Sequence, residues 1–537
     1  MIRLLSPRQI NGRFISDFLG FAACKAGRLA YILAARRYTR MSPTHYVACD
    51  LGAESGRVML GRLEDGRLVL EEIHRFPSAA VQVLGTLRWD VLRIFEELKH
   101  GLAKIAQRRL PVCSISVDSW GVDYVLINSV HPMLSLPFHY RDARTESTYD
   151  SVRKSVGSEF IFAETGIQFM AINTIYHLAS DAEKSRALLE AADCFLMIGD
   201  YFNYLFSGIP RVDQTIASTT QLYNAKNRAW SDALIERCGI PRKIFPTIVP
   251  PGTVLGPLLP EVSAETGLKS DLVQVVATCS HDTGAAVAAV PAEDGDDWAF
   301  LSSGTWSLLG VELPQPLINE SVRECNFTNE AGYGGTTRFL KNIVGLWILQ
   351  ESRREWARQG QELDYDELMR EAEDAASFRS LIDPRTPRFS KPGDMLRKIV
   401  TFCSETGQPA PETPGQFSRC VLESLALLYR VTLDEIERLT GRKISRLHIV
   451  GGGSQNALLN QLAANAIQRR VTAGPAEATA IGNLLIQGIA LGDIESVAAL
   501  RTIVRNSFAL RTFEPERAEA GGWQGAYRRF GEINLAR

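Results

Sequence analysis

Paired CxxC cysteines are absent from this chain, and its nine cysteines are scattered and odd in number, so neither a zinc site nor a disulfide framework is indicated. Free thiols in a reducing cytosol are expected, including Cys403 and Cys420, which flank a proline-rich loop. Neither sign of charge dominates. The 59 basic and 61 acidic residues leave a formal charge of −2, which gives no reason to expect nucleic acid as a partner. Long apolar runs are missing too. The best candidate, residues 18–35, is broken by Lys25 and Arg28 and lacks a clean signal-peptide core, so no membrane partner is expected. There is no low-complexity segment. Several catalytic signatures are also missing: Gly52 and Gly56 stand too close for a GxxxxGK[ST] phosphate loop, and no GxGxxG follows a strand. GxSxG and HExxH do not occur, which removes the nucleophile-elbow hydrolases and the common zinc proteases.

What remains is a chain of 537 residues, 45% hydrophobic and 22% charged, the make-up of a globular protein with two to four domains. Its first forty residues stand apart. Arg3, Arg8, Arg13, Lys25, Arg28, Arg36, Arg37 and Arg40 face a single acid, Asp17. A basic amphipathic surface helix, an organelle-type transit segment and an extension upstream of a true start at Met41 all fit, and the last is preferred. The expected organisation is a basic extension over 1–40, disordered or loosely helical, with one domain over 41–290 and another over 291–537.

The most informative stretch is HYVACDLGAESGR at 45–57. A short apolar run predicts a buried strand ending in Asp50, and the glycine-bracketed turn 52–56 lets backbone N–H groups approach an anion. Strands resume at 58–60 and, after Asp65-Gly66, at 68–73, so a meander is predicted with a carboxylate and an N–H cradle at its first bend. A phosphate in that cradle would sit beside Asp50, a natural place for Mg2+ with its water shell. An ordinary hairpin is the plainer alternative. A helix over 92–105 and a strand over 112–117 ending at Asp118 follow, the order of a ribonuclease-H-like unit. Further on, helices are predicted near 174–192 and 195–206, and a strand over 272–278 leads into Ser280-His281-Asp282-Thr283-Gly284.

The second half opens as the first does, with a strand at 298–301, a polar turn at 302–305 and a returning strand at 306–311. A helix over 417–439, a strand over 447–450, the glycines 451–453 and helices over 456–466 and 480–490 complete it. Two such halves suggest a duplicated fold, and the cleft between them is the default ligand site. Ser280-His281-Asp282 does not make a hydrolytic relay, because neighbouring residues on an extended strand point to opposite faces. Asp282 alone suits a base that takes a proton from a substrate hydroxyl. Its plainer role is to cap the helix starting near Thr283. Trp120 and Trp306 each stand beside a proposed ligand turn, to stack on the ligand or, as the plainer reading, to fill the core. Arg141, Asp142 and Arg144 shape a pocket or form a surface ion network.

With these residues assembled, the chain resembles the FGGY carbohydrate kinases from about Tyr46 to about Phe513. The resemblance is carried by ACDLGAESGRVML, DSWGVDYVL, YRDARTE, TGIQFMAINTIY, SHDTGAAVAAVP, LSSGTWSLLGVE, LKNIVGLWILQ, LHIVGGGSQNALLNQLAANA and AGPAEATAIGN. It implies an α/β fold of two ribonuclease-H-like domains, of the actin/hexokinase/Hsp70 ATPase type, around a central cleft. The first domain would hold sugar and the second nucleotide, with ATP and Mg2+ required. Residue by residue, Ala53, Glu54, Ser55, Gly56 and Arg57 would form the first phosphate loop and Thr305 the second, with Gln350 and Gly452 on the nucleotide side. Gly121, His281, Thr283 and Asn342 would touch the sugar. Asp282 would accept the proton, and Asp50 and Asp282 would hold Mg2+. Glu54 is an acid inside a phosphate loop, so its side chain is expected to point away. The narrower segments DSWGVD, IQF, SHDT and LKN-GLW imply L-rhamnulose as the ketose, phosphorylated on O1 in rhamnose catabolism. L-Fuculose or xylulose, distinguished around Gly121, Gln168, His281 and Asn342, and a non-catalytic ATP-driven scaffold remain open, as do monomer and homodimer. A cytoplasmic location is expected.

Overall fold

The computed structural model describes residues 43–293, 295 and 297–535; the basic extension expected over 1–40 lies outside them. Alternation builds the first strand, β1 (Thr44–Leu51). Val47, Cys49 and Leu51 face one core, whereas Tyr46 and Ala48 face another, so the strand is covered on both sides. β2 (Ser55–Glu64) and β3 (Arg67–Pro77) follow as antiparallel neighbours. The helix α1 (Val91–Gln107) is capped by the Asp90 carboxylate, which accepts from Arg93 N, and buries Ile94, Leu98, Leu102 and Ile105. β4 (Val112–Ser119) returns parallel to β1 and sets Asp118 opposite Asp50. With β5 (Thr253–Pro257) and β6 (Gln274–Ala277) the first sheet has the order β5-β6-β4-β1-β2-β3.

The second sheet repeats this plan. β7 (Trp298–Ser303) and β8 (Trp306–Leu313) form its first hairpin, followed by β9 (Thr328–Ala331), β10 (Thr337–Val344), β11 (Arg446–Val450), β12 (Arg470–Ala473) and β13 (Arg511–Phe513). Their order is β9-β10-β8-β7-β11-β12-β13, with β11 parallel to β7 as β4 is to β1. Ala299 and Leu301 face the core of this lobe, and Phe300 faces the same shared core as Tyr46 and Ala48. The two sheets are thus two ribonuclease-H-like units, each with a private core, joined over a common one.

That common core is a helix seam. α2 (Asp282–Ala288) comes from the first lobe and α6 (Ala478–Ala490) from the second; between them along the chain lie α3 (Trp347–Arg358), α4 (Pro414–Thr440) and α5 (Ala457–Ile467). Small residues let α2 and α6 touch backbone to backbone. A Cβ on Gly482 would lie only 1.9 Å from the Ala285 carbonyl oxygen. The predicted strands and the helices over 92–105, 417–439, 456–466 and 480–490 are all present. One segment differs. Residues 195–197, read as the start of a helix, belong to the strand Cys194–Met197 that pairs with Tyr124–Ile127, and the helix begins only at Ile198. A short, fully buried apolar run has no period to separate the two states, and pairing decided it.

Candidate active site

The open ends of both sheets meet at one cavity of about 320 Å3. From the first lobe it is lined by the β1–β2 turn (Asp50, Gly52, Ala53, Arg57), the segment after β4 (Trp120, Gly121, Val122) and the segment after β6 (His281, Asp282, Thr283). From the second lobe come the β7–β8 turn, Ser302 to Trp306, the glycines 451 and 452 after β11, and Asn342 on β10. Loops at the carboxyl ends of parallel strands collect here, which is where α/β sheets place their ligands.

The β1–β2 turn is closed by Gly52 N donating to Ser55 O at 3.0 Å and is anchored by Ser78, whose Oγ donates to Gly52 O at 2.6 Å. Arg57 lies opposite Asp50 in the β1–β2 register and pairs with it. The same guanidinium reaches across the cleft to Glu477, just before α6. Glu54 points outward, where it accepts from Arg354 of α3 at 2.8 Å, a second contact between the lobes.

Asp282 begins α2 with its carboxylate about one third exposed to the cavity, 30% by side chain, and accepts from both the N–H and the Oγ1–H of Thr283. Desolvation in the cleft raises its pKa above the usual carboxylate value; nearby His281 and the Thr283 bonds oppose that rise, and the Asp50 charge adds to it. Asp118 lies behind, fully buried, with Asn483 Nδ2 donating to it at 2.6 Å. Burial and the neighbouring Asp50 push its pKa well up.

Asn342 and Gln168 lock together across the cleft: the Gln168 Oε1 accepts from Asn342 N at 2.9 Å and from Asn342 Nδ2 at 3.1 Å. Trp120 lines one wall. Its Nε1, the Nε1 of Trp89 and the Tyr140 N–H all donate to Asp123 Oδ2, at 2.9, 2.6 and 3.2 Å. Burial lifts the Asp123 carboxyl to about 7 against those three bonds. Arg144 is committed elsewhere, paired with Asp181, and Arg141 spans the lobes, its Nη1 donating to Ser390 O at 2.9 Å and its guanidinium over Trp347.

Of the residues singled out from sequence, Asp50, Ala53, Arg57, Gly121, His281, Asp282, Thr283, Thr305, Asn342 and Gly452 line this one cavity. Glu54, Ser55, Gly56 and Gln350 do not. Gly56 is turned into the lobe interior against Phe76, and Gln350 sits in the first turn of α3. Sequence reading gave no role to Asp118, Asp123, Glu330 and Arg338; each is one polar residue inside a strand or beside one, and only the tertiary fold shows what it meets.

Mg2+ keeps most of its waters and needs only one or two carboxylates beside substrate phosphates. Asp50 and Asp282 both face the cavity and supply that donor set. Among the described residues no three His, Cys, Asp or Glu side chains cluster as a metal cage would require. The residues therefore fit a hydrated Mg2+ held together with a polyphosphate.

Comparison with known proteins places this geometry. Residues 45–289 match the FGGY family of carbohydrate kinases, N-terminal domain, and residues 299–491 match its C-terminal domain. The chain is 42% identical over 486 residues to a rhamnulokinase of Bacteroides thetaiotaomicron, covering 90% of this chain and 98% of that one. It is 43% identical over 472 residues to a rhamnulokinase of Enterococcus faecalis, covering 87% and 94%. Among solved structures, a ligand-bound xylulose kinase from Lactobacillus acidophilus superposes with a TM-score of 0.77 at 17% identity, covering 92% of this chain and 98% of its own. A gluconate kinase from the same species gives 0.76 at 18% identity, again with 92% and 98% covered. At that identity the structures speak for the fold, whereas the family match and the closer relatives speak for the lineage: the chain belongs to the FGGY family of carbohydrate kinases.

Proposed function

We propose that the chain transfers the γ-phosphoryl group of ATP to O1 of L-rhamnulose, giving L-rhamnulose 1-phosphate and ADP. The observation that carries this reading is the 42–43% identity to two rhamnulokinases over most of the chain, joined to one carboxylate, Asp282, that faces the cavity at the junction of the lobes. In this reading Asp282 takes the proton of the O1 hydroxyl as the new O1–P bond forms and the bond from phosphorus to the ADP oxygen breaks. A positioned base of this kind is worth roughly 10²–10⁴-fold. His281, Thr283, Gly121 and Asn342 hold the ketose in line.

Backbone N–H groups of the β1–β2 turn and of the β7–β8 turn around Thr305 face the phosphates, with Arg57 beside them and Gly452 along the nucleotide. Such donors act most strongly on charge that spreads over the transferring group. Mg2+, held by Asp50 and Asp282, would screen that charge. Closure of the lobes excludes water, which would otherwise receive the phosphate. Drawing on ATP, the enzyme is expected to act in the cytoplasm, as a monomer or a homodimer.

The test is ADP release, coupled to a reporter reaction, against L-rhamnulose, L-fuculose and xylulose. The highest kcat/KM is expected for L-rhamnulose. A preference for either other ketose moves the chain to a sister activity. ADP release indifferent to every ketose would favour a scaffold.

A further inference from the structure

His281 carries two ring nitrogens with different neighbours. Its backbone is fixed within the first lobe, His281 N donating to Thr215 Oγ1 at 3.3 Å. Its Nε2 lies 3.5 Å from Asp282 Oδ1, on the cavity side. Its Nδ1 points across the cleft into the second lobe, where Arg338 Nη2 stands 3.1 Å away and Glu330 Oε2 3.4 Å away.

Arg338 is fully buried and does not line the cavity. Two neighbours in its own lobe hold it. Its Nε donates to Ala331 O at 3.0 Å, its Nη1 is 3.0 Å from Glu330 Oε2, and Glu330 is its direct partner in the β9–β10 register. A guanidinium has donors only and no lone pair to offer. A neutral imidazole with Nδ1 3.1 Å from one of those N–H groups answers it as the acceptor, and an imidazole whose Nδ1 accepts carries its proton on Nε2. Nδ1–H directed at Glu330 would set two N–H donors against each other at that distance.

We propose that Arg338 is a positioning residue: by donating to Nδ1 from the second lobe, it fixes His281 in the Nε2–H tautomer and so aims a donor at the ketose oxygen adjacent to the O1 that Asp282 deprotonates. The last clause rests on the kinase reading above; the tautomer does not. Glu330 keeps the guanidinium oriented. The contact crosses the lobe boundary, so the donor beside the base is set correctly only when the lobes are together.

The experiment is a long-range 1H–15N correlation on the whole chain labelled at histidine, which has eight such residues. The His281 signals are assigned by their loss in His281→Gln. The Nε2–H pattern is expected. In Arg338→Met it should give way to a mixture or to the Nδ1–H form, with kcat/KM for the ketose falling about tenfold to a hundredfold, the weight of one charge-assisted hydrogen bond, and with KM for ATP unchanged. Arg338→Lys should recover part of the tautomer preference. Removing Arg338 alone strands a buried carboxylate, so Arg338→Met/Glu330→Gln, which removes both charges, is read if the single variant does not fold. A wild-type spectrum showing Nδ1–H, or a tautomer unmoved in the folded variants, overturns the proposal. A spectrum as expected in a protein that phosphorylates no ketose would sink the kinase reading and leave the tautomer assignment standing.

Discussion

The two lobes share a strand order and differ in what they carry to the cleft. Where β1 and β4 bring Asp50 opposite Asp118, β7 and β11 bring Ser302 opposite Val450. The first lobe adds Asp282 and Arg57, whereas the second offers a turn of Ser302, Ser303, Gly304 and Thr305 with glycines after β11. At the cleft the first lobe contributes Asp50, Arg57 and Asp282, whereas the second contributes mostly small residues and backbone, with the carboxylate it brings to the lining, Glu330, paired to Arg338. A turn of small residues and backbone N–H groups can approach a polyanion without repulsion, and on the other side burial, with the Asp50 charge adding to it, raises the pKa of the Asp282 carboxyl. That asymmetry supports the proposal of proton chemistry at the first lobe and of the nucleotide's phosphates mainly at the second.

That division can be broken most forcefully at Asp282. Asp282→Asn is expected to lower kcat by roughly 10²–10⁴-fold in the coupled ADP assay, with the fold intact by circular dichroism; a variant at full rate would remove the proton chemistry from the first lobe. The base must be ionised, and its pKa is raised by burial, so kcat/KM should fall as the pH drops through a value above the ordinary carboxylate range. A pH–rate profile reads this limb, which should disappear from the residual activity of Asp282→Asn.

The second lobe is probed at Gly453, where an added Cβ would lie 2.0 Å from Ser303 Oγ. Gly453→Ala should displace the turn and cut kcat/KM for ATP by about tenfold to a hundredfold, leaving KM for the ketose near the wild-type value. Equal loss for both substrates would blur the contrast between the lobes.

At the seam, Gly482→Ala forces a methyl against the Ala285 carbonyl and should cost about 1–3 kcal/mol of stability, read as a lower Tm. The smallest effect belongs to the exposed Glu54–Arg354 pair. Glu54→Gln should change stability by less than about 1 kcal/mol, and by less still at high salt.

Much of this was legible beforehand because the signals are local. The Asp65-Gly66 turn and the alternation around it announce the β1–β3 meander, and the strand before Ser280-His281-Asp282 announces that this segment opens on the cleft, where Asp282 lies as the first residue of α2. The pairing partners are not local. Glu330 in TNEA and Arg338 in TTRFL look like surface strand residues until the β9–β10 register sets them side by side. Asp123 reads as a loop acid until Trp89, Trp120 and the Tyr140 amide converge on it. Gln350 shows the reverse. The GLW segment identifies the neighbourhood, but the helical turn decides which face each side chain takes, and Gln350 is not among the residues lining the cavity.

The helix that starts with Asp282 is also the one whose next turn abuts α6 at Gly482. The proposed base therefore lies close to the seam about which the lobes would scissor, like the rivet in a pair of tongs. Points near a pivot travel least, so the mouth of the cleft can swing wide for nucleotide exchange while the group that removes the proton stays almost where chemistry needs it.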